Sequence, residues 1–237
     1  MNSIKKQARA AGFLYLLACL PAPFALIYVP NTLIVPGNAT ATASKILASE
    51  SMFRLGMAGE LISSVAFIFV VLALYRLFQG VNKRQATLMV TLYVISVPIS
   101  FLNVLNEIAA LILLRGADFL SVFTKPQLDA LAMVFLRLHS FGFVVAAIFW
   151  GLWLFPFGLH VYRSGFLPRI LGVLLIINCF AYVIPSFTSL LLPQYRDVVT
   201  RTALPFLLGE AAIVLWLLIK GAKDQPLDAP ASSLVGG

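Results

Sequence analysis

The sequence predicts an all-α, polytopic integral membrane protein with six transmembrane helices and both termini in the cytoplasm. Three observations carry this expectation. Of 237 residues, 61% are hydrophobic and only 11% are charged, and the mean hydropathy is +0.97, whereas a soluble domain carries roughly 25% charged residues. The apolar residues fall into six long runs, each at least about the 17–20 residues that a helix needs to cross a bilayer. The basic residues between those runs favour one side. Two cysteines and unperiodic Gly and Pro exclude a disulfide scaffold and a collagen-like chain. Short alternating segments of a membrane barrel are not visible.

The runs extend approximately from Ala10 to Val29, Phe53 to Tyr75, Ala86 to Leu114, Leu128 to Tyr162, Ile170 to Leu192 and Ala203 to Ile219. Leu16 to Cys19 resembles a lipoprotein cleavage box, but the chain stays apolar to Val29, so an uncleaved first span is expected. The loop from Pro30 to Met52 is too polar to span. Its Ala-rich stretch Ala41 to Glu50 predicts a short surface helix, either a lid or an ordinary connection. Residues 1–222 then form one six-helix domain. Residues 223–237 form a Pro-, Ser- and Gly-rich cytoplasmic tail expected to be disordered.

Orientation follows the rule that Lys and Arg collect on the cytoplasmic side. With the N-terminus inside, that side holds Lys5, Lys6, Arg9, Arg76, Lys83, Arg84, Arg163, Arg169, Lys220 and Lys223, against Asp224 and Asp228. The outer side mixes Lys45, Arg54, Arg115, Lys125, Arg196 and Arg201 with Glu50, Asp118, Asp129 and Asp197. The net charge of +8 therefore reflects topology and attraction to anionic lipid, and no nucleic-acid partner is expected.

Chemistry must come from ionisable groups that the bilayer makes expensive, at about 2.5–3.5 kcal/mol each at a helix centre. Five lie in or at the edges of spans: Glu60, Glu107, Arg137, His139 and Glu210. At 1.5 Å per residue, Glu60 sits about 24 Å from the inner edge and Glu210 about 15 Å. Neither of their spans can cross without including them. Glu107 and Arg137 lie near the outer surface, where snorkelling competes with burial. Ser63 and Ser64 follow Glu60 at i+3 and i+4, and Asn103 and Asn106 share an arc with Glu107. These groups together predict a polar, acidic cavity opening outward. Arg137 and His139 diverge by about 160°, so one of them at most faces it squarely.

A buried Arg137 would take one carboxylate as partner, leaving two that must hold a proton, pair with protonated His139 or meet a bound cation. The alternative is that all these groups only hydrogen-bond helices together, at about 1 kcal/mol per contact. A single metal held by Glu60, Glu107, Glu210 and His139 is chemically feasible. Paired haem ligands, di-iron and nucleotide-binding motifs are missing, and no cofactor is expected. Pro23, Pro98, Pro156 and Pro185 fall inside spans, either kinking them or freeing carbonyls toward a pathway. Arg9, Gly12 and Cys19 share their spacing with Arg169, Gly172 and Cys179, and the helix after each carries a Gly-Glu pair, Gly59-Glu60 and Gly209-Glu210. That is a faint sign of a parallel repeat, with chance coincidence as the alternative.

The run Ile148-Phe-Trp-Gly-Leu-Trp-Leu-Phe-Pro-Phe-Gly158, followed by Tyr162-Arg-Ser-Gly-Phe-Leu-Pro-Arg-Ile-Leu-Gly172, resembles a bacterial multi-pass membrane family known as domain of unknown function 4386. Leu105-Asn-Glu-Ile-Ala-Ala-Leu and Gly116-Ala-Asp-Phe-Leu-Ser-Val-Phe123 are similar to the same family's third helix and following loop. The resemblance covers about residues 5 to 222 and implies a bacterial cytoplasmic membrane protein. It implies no activity, ligand or catalytic residue. The residues themselves predict transport or binding of a small solute, proton or cation, with Glu60 and Glu210 meeting positive charge and Arg137 anchoring an acidic group. Two alternatives stand: an intramembrane enzyme using Glu and His acid-base or metal chemistry, and a non-catalytic regulatory subunit.

Overall fold

A computed structural model describes residues 4–223. Its helices run in the order α1 (Ile4–Cys19), a π-helical turn (Pro23–Tyr28), α2 (Val29–Leu33), α3 (Ala39–Ala48), α4 (Glu50–Phe78), α5 (Lys83–Arg115), α6 (Lys125–Leu152), α7 (Leu154–Arg163), α8 (Arg169–Leu191), α9 (Arg196–Ala203) and α10 (Leu208–Ile219). No strand occurs among the described residues. Six segments are long and apolar enough to cross a membrane: Ile4–Leu33, Glu50–Phe78, Lys83–Arg115, Lys125–Arg163, Arg169–Leu191 and Pro193–Ile219. At most 33% of the most apolar window of any of them is buried inside the protein, so the remaining apolar surface has to face lipid. Phe13, Leu20, Ile62, Leu102, Ile170 and Leu215 are among the exposed side chains of that surface.

Helix boundaries follow capping chemistry. Asn38 accepts a hydrogen bond from the Ala41 amide at 2.9 Å, which starts α3 two residues before the predicted Ala41. Asn82 does the same for Gln85 at 3.0 Å at the head of α5, whose end is turned by Gly116 at φ 68°. Thr124 and Gln127 form a capping box ahead of α6. Three spans are less regular than the predicted straight helices. Pro23 cannot donate to a preceding carbonyl, and the first span widens into a π turn there. A turn at Trp153, three residues before Pro156, divides the fourth span into α6 and α7. The sixth span is continuous α-helix only from Leu208, because Pro205 sits in a 3-10 turn (Leu204–Leu207) that joins it to α9.

Consecutive spans pack side by side, α1 on α4, α4 on α5, α5 on α6, α6 on α8 and α8 on α10, and α10 returns to α1. The bundle is therefore a closed ring. One end of it holds Lys5, Arg9, Lys83, Arg163 and Lys220. There the ring is filled by Tyr15, Phe78, Trp153, Phe157 and Leu217, all at most 1% exposed. Trp153 and Phe157 stack at 5.3 Å. At the opposite end, Val29, Leu33, Phe53, Val104 and Leu136 form a second plug. The short helix α3 docks on that plug through buried Ala43 and Ile46. Close helix approach uses glycine where backbone meets backbone. A Cβ on Gly172 of α8 would lie 2.6 Å from the Gly158 carbonyl of α7. The predicted tail lies outside the described residues except for Lys223, whose amide donates to the Phe166 carbonyl at 3.0 Å.

Candidate functional site

Between the two plugs lies a cavity of about 420 Å³ to which every one of the six spans contributes a wall. Its walls include Leu16 and Cys19 of α1, Glu60, Ser63, Ser64 and Phe67 of α4, Tyr93 and Ser100 of α5, Phe143 and Trp150 of α6, Tyr182 of α8 and Glu210 of α10. Most of this surface is apolar or aromatic, unlike the polar cavity that the sequence predicts. The reason is that the asparagines on α5 are used elsewhere. Asn103 donates from Nδ2 to the His139 carbonyl at 2.9 Å, and Asn106 donates to Asn103 Oδ1 at 3.2 Å. Asn103 thereby binds α5 to α6 and Asn106 steadies it from within α5, and neither lines the cavity. Ser63 is on the wall, but its hydroxyl donates to the Ala18 carbonyl at 2.7 Å and ties α4 to α1.

Three of the five ionisable groups converge. Glu60 of α4, Glu107 of α5 and His139 of α6 are 8%, 5% and 8% exposed, each buried at the junction of three consecutive spans. His139 Nε2 lies 3.1 Å from Glu60 Oε2 and 3.6 Å from Glu107 Oε2. One ligand-capable atom from each residue lies within 4.8 Å of the other two. Glu107 Oε2 is buried and has no hydrogen-bond partner among the described residues. The imidazole is steadied by the edge of Phe143, with ring centroids 4.7 Å apart. Behind it, Gly142 leaves the room that Asn103 occupies. Of this cluster Glu60 reaches the cavity wall, while Glu107 and His139 stand behind it.

Glu210 is separate. It lies in the first turn of α10, which continues from the 3-10 turn at Pro205. The Tyr15 hydroxyl donates to Oε1 and the Tyr182 hydroxyl to Oε2 at 3.4 Å. A four-ligand metal set that includes Glu210 is thus not what the fold assembles. Arg137 is exposed on α6, two residues from buried His139. The helical twist that turns His139 inward turns Arg137 outward, and the expected Arg137 anchor for an acidic group is not at the cavity. Among the described residues, neither Glu60 nor Glu107 has a Lys or Arg partner.

A second cavity of about 560 Å³ lies between α6, α8, α9 and the start of the sixth span, with Ser140, Ser186, Arg196, Asp197, Thr200 and Arg201 in its lining. Phe143, Trp150 and Tyr182 line both cavities and form the partition between them. Sequence reading did not single out Tyr182 or Cys19 as cavity residues, nor Tyr15 as a partner of Glu210. The signal available for Tyr15 is its position at i+3 from Gly12, on the inward stripe Ala8, Ala11, Tyr15 and Ala18. The two Gly-Glu pairs occupy corresponding places. Gly59 packs on Pro21 and Ala25 of the preceding span, Gly209 on Leu174 of the span before it, and the adjoining glutamates face the same cavity.

Six apolar spans closed around a cavity that holds carboxylates define a multi-pass, all-α membrane protein with a buried acidic centre. The chain belongs to the family described as domain of unknown function (DUF4386), whose model matches residues 10–221. A protein of Archaeoglobus fulgidus described as uncharacterised is 34% identical over 76 residues, which make up 32% of this chain and 44% of that protein. The matched segment thus spans less than half of that relative. No solved structure is significantly similar to the chain.

Proposed function

We infer that the protein binds, and carries across the membrane, a small solute with positive charge and an apolar body, with both termini on the cytoplasmic face of a bacterial inner membrane. The observation that carries this reading is the central cavity with carboxylates on two of its walls, Glu60 and Glu210, and aromatic surface between them. An ammonium group is favoured by carboxylates and by the faces of Phe67, Tyr93, Phe143 and Trp150, while its apolar part is favoured by the remaining lining. The cavity is of a size that takes one small molecule. The second cavity supplies an approach from the end opposite the basic one, with Phe143, Trp150 and Tyr182 as the partition that has to move. The basic residues grouped at one end support the orientation.

The test uses purified protein in lipid nanodiscs and a series of arylalkylamines, read by tryptophan fluorescence, since Trp150 and Trp153 line the cavity. Amine binding is expected to quench that fluorescence, and Glu210→Gln is expected to weaken it by about 10- to 100-fold, the worth of a charge-assisted contact. Equal amine binding by wild type, Glu60→Gln and Glu210→Gln would sink the reading.

A further inference from the structure

We propose that Glu60, Glu107 and His139 hold one divalent transition-metal ion. The first ground is geometric. Ligand atoms bound about 2.1 Å from a tetrahedral centre lie about 3.4 Å from one another. The His139 to Glu60 and His139 to Glu107 separations are 3.1 and 3.6 Å, and the whole triangle is within 4.8 Å. Small side-chain rotations bring it to bonding geometry. The three residues come from three neighbouring helices, so the site is fixed by packing and not by one flexible loop.

The second ground is the unmatched oxygen. Glu107 is 95% buried by its 5% exposure, and its Oε2 faces the cluster with no donor at hydrogen-bond distance, His139 Nε2 standing 3.6 Å away. A buried carboxylate oxygen in that state needs a positive partner. Arg137, two residues from His139, is turned outward. Two carboxylates, one neutral imidazole and one divalent ion sum to zero charge, the state a low-dielectric interior favours. Two carboxylates and an imidazole suit zinc, manganese or iron(II), while thiolate-seeking copper(I) is disfavoured. Cys19 lines the cavity but is not part of the cluster.

The His139 backbone carbonyl accepts from Asn103 and its ring packs against Phe143, contacts that hold the imidazole beside the two carboxylates. Three protein ligands leave at least one coordination position. Because Glu60 alone of the three reaches the central cavity, that position opens toward it, where a ligand oxygen or nitrogen would complete the sphere. The inference stands on the cluster itself; Glu60 is shared with the amine reading, which then rests on Glu210 for its free carboxylate.

The experiment strips purified protein with a chelator, reconstitutes it in turn with Zn2+, Mn2+ and Co2+, desalts it, and measures metal by elemental analysis. Wild type and Glu210→Gln are expected to retain one equivalent and to unfold at a higher temperature with metal than without. Glu107→Gln and His139→Gln are expected to lose affinity by about 100-fold or more, since even an outer-shell change costs 10- to 100-fold. Co2+ in wild type should show the intense visible ligand-field absorption of a low-coordinate site, a readout that needs no variant to fold. Retention of no metal by wild type, a Co2+ spectrum unchanged from the aqueous ion, or full retention by Glu107→Gln overturns the proposal. Loss of amine binding by Glu210→Gln with metal retained separates the two sites.

Discussion

Gly142→Ala is expected to destabilise the protein by about 2–4 kcal/mol and to disorganise the buried acidic cluster with it. A Cβ on Gly142 would lie 1.9 Å from Asn103 Oδ1 and 2.3 Å from its Cγ. Asn103 has to leave, and its amide can then no longer donate to the His139 carbonyl or receive the Asn106 amide. The cost therefore combines overpacking, about 1–3 kcal/mol, with a lost interhelical hydrogen bond worth about 0.6–1.7 kcal/mol in a membrane. The same pair sets the register of α5 against α6, and hence the distance from Glu107 to His139. Thermal unfolding in nanodiscs checks the magnitude, and a double-mutant cycle checks the cause. In an Asn103→Ala background the three atoms nearest the added methyl are gone, so the second cost should shrink to about 0.5 kcal/mol. Equal costs in both backgrounds would show that the clash is not the mechanism.

The six spans were legible because a bilayer forces an apolar run of fixed length, and the sequence has six of them. Glu60 and Glu210 were legible for the same reason: their runs cannot cross without them. Less was readable wherever partners come from other helices. The pattern around Glu60 gives Ser63 and Ser64 on its face, but nothing local shows that Ser63 is used by the Ala18 carbonyl. Asn103 and Asn106 share a stripe with Glu107, and the stripe gives their direction without telling cavity from helix contact. Arg137 and His139 were resolved as opposed by their two-residue separation. Which one faces inward is decided by Gly142 and Asn103, a contact between spans. Pro23 sits at a π turn and Pro205 at a 3-10 turn, whereas Pro98 and Pro185 lie inside unbroken α5 and α8, so whether a proline breaks the helix depends on how neighbours re-satisfy the freed carbonyls. Tyr15 and Tyr182 reach Glu210 from two other spans, and single-helix periodicity is blind to such a meeting.

Gly12→Ala is expected to open the seam that closes the ring, with a loss of about 2–4 kcal/mol. The first and last spans meet there through backbone. A Cβ on Gly12 would lie 2.6 Å from the Leu218 nitrogen, 2.8 Å from Leu217 Cβ and 2.9 Å from the Leu217 carbonyl carbon. Backbone cannot rotate aside as Asn103 can, so α1 and α10 must separate by the better part of an ångström. Two bonds span that seam on either side of Gly12. Arg9 donates to the Ile219 carbonyl at 3.0 Å, and Tyr15, three residues further along α1, donates to Glu210. Separation of the helices weakens both, so a packing change remote from the cavity should reach its carboxylate. Tyr15→Phe isolates the second effect: it removes one hydroxyl while keeping the ring, at an expected cost near 1 kcal/mol. If the seam transmits through Tyr15, then Tyr15→Phe should cost measurably less in the Gly12→Ala background than alone. Thermal unfolding of the four proteins decides it. Strict additivity would mean that Tyr15 keeps its hold on Glu210 after the helices part, and that the site is anchored by Tyr182 and α8 and not by ring closure.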